Sequence, residues 1–344
     1  MPAIYLRSKT VRETFSFYVA GGNSERIRAY AEHADAVVIA GANGPSAVRK
    51  LRDTGWDGTV IFDGNAYKMQ EGAMDPNKWF LEQRTDGADR LLTPGLWVDS
   101  ASTSTTFEHQ IEEEVNLARS FNATCLLAID RRWFTKTSKL NEMTFTLEGL
   151  DVPVAIVLGD KGDPMAYSGA VDGLVSSIKS IDKISILRCD QVGIGALAYG
   201  AAHASFGLTS SHRHVVPPGV SSFAKVNDRS ARVFVRQLLD WFTASTIAGW
   251  STTDVPLSCQ ATCCRGQAIS RFLDDRLKSE ADLHNLTVLA GLAEEILCAP
   301  LEDGVRRQEF ARICREAVSH YGTMGHWRTE ITPKRQLTQW ALYC

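Results

Sequence analysis

The sequence predicts an α/β protein built as a (β/α)8 TIM barrel with a Cys/His-rich insertion near its C-terminus. Three observations carry this. Eight short apolar runs alternate with helical patterns between Phe15 and Leu208, an order that implies a parallel sheet. Asp63, Asp99, Asp130, Asp160 and Asp190 stand at or just past the ends of five of those runs, and barrels build their chemistry at the carboxyl ends of strands. A cluster of thiols and imidazole follows the last run, at Cys259, Cys263, Cys264 and His284.

Phe15 to Ala20 is the first strand. Asn23-Ser24 can cap a helix running to about His33, and Ala36 to Ala40 is the second strand. Gly41 and Gly44 bracket a turn before a short helix from Ser46 to Arg52. The third strand, Thr59 to Phe62, exits into Asp63-Gly64-Asn65-Ala66-Tyr67, and residues 68–92 read as a long, irregular polar excursion. Leu96 to Val98 is the fourth strand and exits at Asp99-Ser100. Thr105 to Arg119 has a helical pattern with an acidic face of Glu108, Glu112, Glu113 and Glu114. Thr124 to Ile129 and Val152 to Leu158 are the fifth and sixth strands, ending at Asp130 and at Gly159-Asp160, and a helix spans Met165 to Lys179. The seventh strand, Ile184 to Leu187, passes through Arg188-Cys189-Asp190 into a small-residue helix, Gly193 to Ala202. The eighth, Ala204 to Leu208, ends on Thr209-Ser210-Ser211-His212-Arg213-His214. Residues 1–250 are expected to form the barrel, 251–300 a zinc-binding subdomain for the reasons below, and 301–344 a C-terminal helix and tail.

Hydrophobic residues make up 44% of the 344-residue chain and charged ones 22%, the balance of a globular protein with a large core. The net charge of -3 argues against broad nonspecific nucleic-acid binding, while Arg131-Arg132, Arg306-Arg307 and Lys334-Arg335 could line a local basic groove. No apolar run approaches a membrane span, the N-terminus carries no export pattern, and the eight cysteines lack the spacing of a disulfide framework. A cytoplasmic protein with reduced thiols is expected.

Four motifs bear on chemistry. Gly193 to Ala198 matches G-x-G-x-x-A, but no acidic residue ends the next strand to bind a ribose, and close helix packing accounts for the small residues equally well. His212, Arg213 and His214 at a barrel mouth can hold a phosphate or a leaving base, whereas Ser210 and Ser211 lack a nucleophile elbow. The five aspartates are either turn and cap residues or an acidic mouth. Three thiolates and one imidazole fill a tetrahedral zinc site without water, which is a structural site; ordinary buried cysteines are the alternative, and the adjacent pair Cys263-Cys264 is awkward because consecutive side chains point apart.

On these residues the chain resembles the tRNA-guanine transglycosylase superfamily, most strongly over residues 184–297. Its members are (β/α)8 barrels with a zinc site after the last strands, written C-x-C-x-x-C, then a Ser-Arg-aromatic-Leu turn, then His-Asn at the head of a Leu-rich helix. Here Cys259 and Cys264 keep the separation of the first and third Cys, Ser270-Arg271-Phe272-Leu273 follows, and His284-Asn285 heads LTVLAGLAEEI. Ala261 stands at the middle Cys, with Cys263 as the substitute fourth ligand. The resemblance implies a structural Zn2+ on Cys259, Cys263, Cys264 and His284. It also implies a general-base carboxylate at Asp63 (Asp99 being a second candidate) and a base-reading Asp130. The family's nucleophilic Asp near the end of the last strand is missing, since that region reads Phe206-Gly207-Leu208-Thr209.

Without that nucleophile, the expected activity is hydrolysis of the N-glycosidic bond of a modified nucleobase, in DNA rather than tRNA, as in a phage-defence DNA glycosylase. Asp63 and Asp190 would be catalytic, and Asp130, Asp99, Asn65, His212, Arg213 and His214 would contact substrate. A base-exchange enzyme with its nucleophile moved to Asp190, and a non-catalytic nucleic-acid-binding barrel, are the alternatives; a homodimer fits any of the three.

Overall fold

A computed structural model describes residues 14–343 apart from 23, 35, 42, 69–74, 222–227, 252–256, 302–303 and 326–330; the expected cap residue Asn23 lies outside the described residues. The chain divides into two compact units, 1–220 and 221–344.

The first unit holds eight parallel strands: β1 (Phe15–Ala20), β2 (Ala36–Ala40), β3 (Thr59–Asp63), β4 (Leu96–Val98), β5 (Cys125–Asp130), β6 (Val154–Gly159), β7 (Ile184–Cys189) and β8 (His203–Gly207). They lie in the order β3-β2-β1-β8-β7-β6-β5-β4. Residues 89–93 join the two edges through parallel bridges of Ile61 with Arg90 and Leu92 with Thr124, so the sheet is that of the expected (β/α)8 barrel. Tyr18, Val38, Ile61, Leu92, Leu126, Ala128, Val157 and Leu187 belong to one buried cluster, the packed interior such a barrel requires. The residues between them in sequence face the helix layer, as Phe17 does against Tyr30, with ring centroids 5.9 Å apart.

The longer helices of this unit are α1 (Ser24–Ala31), α2 (Gly44–Asp53), α3 (Pro76–Thr85), α4 (Ser104–Phe121), α5 (Thr137–Leu147), α6 (Ala170–Ser180) and α7 (Val192–Ala198), with a single turn of helix at Arg132–Thr135. Helix α3 corrects the expectation of an irregular 68–92: Asp75 caps it by accepting the Asn77 amide, and Pro76 opens it. Its periodicity is hidden because Trp79, Phe80 and Gln83 face inward while Leu81 stays 65 % exposed. Helix α5 was also not expected. Gly193 settles the dinucleotide motif in favour of packing: a β-carbon there would lie 2.4 Å from Cys189 Sγ and 2.8 Å from the Phe206 ring.

Strand β4 is separated from the bridged residues 90–92 by a break at Gly95, which has a φ of 79°. Glu114 of α4 reaches this break, where Thr93 and the Gly95 backbone hydrogen-bond to it. It is 8 % exposed, and burial pushes its carboxyl up to about 7 despite those bonds. The folded state therefore holds a proton that the unfolded chain releases near pH 4.5, so stability falls as pH rises from there to about 7 and is flat beyond. The full cost is roughly 3 kcal/mol. Glu114→Gln is expected to raise the melting temperature at pH 8 and leave it unchanged at pH 4.5, as scanning calorimetry at the two pH values would show.

The second unit pairs β9 (Arg232–Val235) with β10 (Asp240–Thr243) as an antiparallel hairpin, followed by α8 (Ala244–Ser251), α9 (Lys278–Cys298), α10 (Val305–Gly325) and α11 (Arg335–Leu342). Trp241 and Phe242 sit in β10, where the Trp241 ring lies tilted 5.3 Å from that of Phe234 and Phe242 meets Trp250 edge-on at 4.7 Å. No described helix is long and apolar enough to cross a membrane.

Candidate active site and metal centre

The carboxyl ends of β1, β3 and β7 and the loop after β8 converge on Asp63. Its side chain is fully buried. Oδ2 accepts from the Tyr18 hydroxyl at 2.5 Å and the Tyr67 hydroxyl at 2.8 Å, and Oδ1 accepts the Asn65 amide at 2.7 Å. Asn65 takes a left-handed φ of 58°, which Asn tolerates better than most residues. Its Oδ1 lies 3.1 Å from Tyr18 Oη, 3.0 Å from Tyr67 Oη and 3.1 Å from Arg188 Nη1. Burial and the neighbouring Asp63 charge both raise the two phenols, so they remain neutral donors to the carboxylate.

Arg188 is the residue that sequence reasoning passed over. Strict alternation would turn it to the helix layer with Ile184 and Ile186. A register shift between Ile186 and Cys189, with Arg188 at a φ of 55°, forms a bulge that turns it inward instead. Its guanidinium is 3 % exposed. It donates from Nη1 to Tyr67 Oη at 3.2 Å, from Nε to the Ser211 carbonyl at 3.1 Å, and from Nη2 to that same carbonyl. Burial works against its charge, but Tyr18, Tyr67 and Asp63 outweigh that.

The chain beyond β8 crosses this mouth as a strap. Gly207 makes room for it: a β-carbon there would meet the His212 carbonyl oxygen at 1.9 Å. Val215 is buried and bridges to Gly159 at the end of β6. The strap sets the His212 ring 5.4 Å from that of Tyr18. Burial, then the charges of Arg188, Lys68 and Arg26, bring His212 down to about 4, and burial lowers His214 as well. Both shifts favour the neutral imidazole; between them Arg213 Nη2 donates to the Leu208 carbonyl at 3.4 Å.

The other expected residues occupy different places. Asp190 accepts the Val192 amide at 3.1 Å at the head of α7, a capping contact. Asp130 and Asp99 end neighbouring strands. Burial raises the Asp130 carboxyl, and the Asp99 charge adds to this. Asp130 Oδ1 accepts the Arg132 amide at 2.9 Å, and Asp99 accepts the Ala101 amide at 2.7 Å and Trp97 Nε1 at 3.3 Å.

In the second unit Cys259, Cys264 and His284 place their ligand atoms within 4.8 Å of one another, so these three can hold a metal ion. A turn with Arg265 and Gly266 at φ of 51° and 82° brings consecutive cysteines to one side: Cys263 Sγ lies 3.6 Å from Cys264 Sγ. Two thiolates on one tetrahedral zinc would be about 3.8 Å apart, but Cys263 falls outside the group of three, so of the four expected ligands the structure groups Cys259, Cys264 and His284. His284 Nε2 is 2.9 Å from the Phe234 carbonyl, which leaves Nδ1 facing Cys264 Sγ at 3.2 Å. This second contact fixes the ring as metal-bound histidines are usually fixed. The Ala261 amide donates to Cys259 Sγ at 3.4 Å and Arg271 Nη2 to Cys264 Sγ at 3.5 Å, contacts that favour thiolates. Burial opposes charge on Cys264, but His284 and Arg271 pull it down to about 6. Searches against protein-family models and curated proteins find no match to this chain.

Proposed function

We propose that this chain hydrolyses the N-glycosidic bond of a modified nucleobase in DNA at the carboxyl end of the barrel. The observation that carries the reading is the buried Asp63–Tyr18–Tyr67–Arg188 network. Burying a carboxylate and a guanidinium costs several kcal/mol per ion and stabilises a fold poorly, so such a group at a barrel mouth is best explained by chemistry. Departure of a base leaves an oxocarbenium-like sugar, and a fixed carboxylate is the charge that state needs. Asp63, held by the two phenols, supplies it without reorganising. Asp130, with its raised carboxyl, suits a hydrogen-bond donor or acceptor to the leaving base.

Hydrolysis is favoured over base exchange because β8 ends without a carboxylate and Asp190 caps a helix. The choice of DNA rests on the family resemblance alone. Zinc is proposed for the Cys/His site because three thiolates with one imidazole are one of its usual structural donor sets, which here requires Cys263 to join Cys259, Cys264 and His284. A bound ion there would brace β9, the 257–273 segment and α9, and no step of the reaction is assigned to it.

The test is release of free base, with abasic sites left behind, on incubating the purified chain with DNA carrying modified bases. Asp63→Asn is expected to reduce the rate at least 100-fold, on the scale of removing one electrostatic stabiliser. Undiminished rates in that variant would reject the assignment, and uptake of labelled free base into DNA would favour exchange.

A further inference from the structure

A second feature of the mouth lies outside the Asp63 network, at the ends of β5 and β6. Tyr167, in the loop after β6, is 36 % exposed. Its exposure is not that of a loose loop, because Met165 and Ala170 on either side are fully buried. Arg131 lies flat against it, with Cζ 3.4 Å from the ring centroid. That guanidinium is itself fixed: Nε donates to Asp160 at 3.1 Å, the two side chains are only 19% and 13% exposed, and the Arg131 amide donates to the Gly159 carbonyl at 2.8 Å. A half-buried ion pair thus sits behind a solvent-facing aromatic ring, and all three residues come from strand ends or the loop that follows them.

We propose that the Tyr167–Arg131 stack is a binding platform for an unpaired nucleobase. This rests on the nucleic-acid reading above and names a residue that sets how the strand is held. A phenol ring backed by a cation is poorer in electrons on its open face. Such a face suits an electron-rich purine or pyrimidine and disfavours the C–H contacts by which sugars bind aromatic rings. Beside the platform, Asp130 has one oxygen engaged by the Arg132 amide; its other oxygen has no hydrogen-bond partner among the described residues and can accept from a base N–H. Arg132 and Lys161 are exposed on the same strand exits, positioned by sequence for the adjoining phosphates.

The experiment measures binding without turnover, in the full-length Asp63→Asn background. Fluorescence anisotropy compares a short single-stranded deoxyoligonucleotide with one of equal length whose central units are abasic. The base-bearing strand is expected to bind at least tenfold more tightly, the scale of one base stacked on one aromatic side chain. Tyr167→Ala should erase that preference without changing the melting temperature, and Tyr167→Phe and Tyr167→Trp should keep it. Equal binding of the two strands by the parent, or an unchanged preference in Tyr167→Ala, overturns the platform. Failure to produce abasic sites from any modified DNA, with the preference intact, would instead sink the glycosidic reading and leave the platform standing.

Discussion

Arg188→Leu is expected to destabilise the barrel unit by about 3–5 kcal/mol, the cost of leaving a buried ion without its partner. Asp63 has no exposed surface, and the hydrogen bonds from Tyr18, Tyr67 and Asn65 satisfy its lone pairs but do not cancel its charge. The cation that does so lies one hydrogen bond further on, through Tyr67 and Asn65. Leucine would also release the Ser211 carbonyl, which Arg188 holds with two nitrogens, and so loosen the strap. The double variant Asp63→Asn/Arg188→Leu removes both charges and should recover a substantial part of the loss. Arg188→Lys keeps the charge but lacks the planar fork, and should fall between. Urea melts of the three variants read this directly, as shifts in midpoint at constant slope. Equal instability of the single and double variants would show that the two charges are not coupled, and would remove the main physical support for a functional Asp63.

What the sequence disclosed, and what it hid, follows from the range of the interactions involved. Strand exits are local events, so Asp63, Asp99 and Asp130 could be placed at the mouth from apolar runs alone. The metal cluster was legible because its ligands are chemically distinctive, even though Cys259 and His284 come from a turn and a helix. Tyr18 was invisible as a site residue: in FSFYVA it is one more large side chain, and only its hydroxyl distinguishes it from core. Arg188 was hidden for a different reason. Its inward turn depends on a bulge between β7 and β8 that no glycine announces, and pairing register is a property of two strands. The acidic-mouth idea was therefore partly right about place and incomplete about chemistry, since the carboxylate is organised by tyrosines and an arginine. His212 and His214 show the limit of reading charge from residue type, because burial beside Arg188 favours the neutral imidazole.

Removing the metal is expected to have the largest effect on the second unit. The ligands come from separate pieces of chain: Cys259 and Cys264 lie in a turn held by the Ser258–Ala268 bridge and by backbone hydrogen bonds from Cys259 to Gln267, Gly266 to Cys259 and Ile269 to Leu257, while His284 is fixed in α9 and tied to β9 through Phe234. A metal bound to both would cross-link that turn to α9, and its binding free energy is then folding free energy. The purified chain is expected to carry about one zinc ion, and a chelator should lower its melting temperature by roughly 10 °C or more. Burial disfavours charge on His284, yet the thiols of Cys259, Cys263 and Cys264 and the Phe234 carbonyl raise it to about 11. An incoming ion must displace that proton, so loading should weaken as pH falls. Cys264→Ser and His284→Ala should abolish metal retention. Cys263→Ser is the informative variant: its sulfur lies at a tetrahedral-edge distance from Cys264 but outside the tight group of three, so it should lower affinity while leaving the ion bound at saturating zinc. A chain that holds no metal by elemental analysis, and melts identically with and without chelator, would show that these thiols and this imidazole are ordinary core residues.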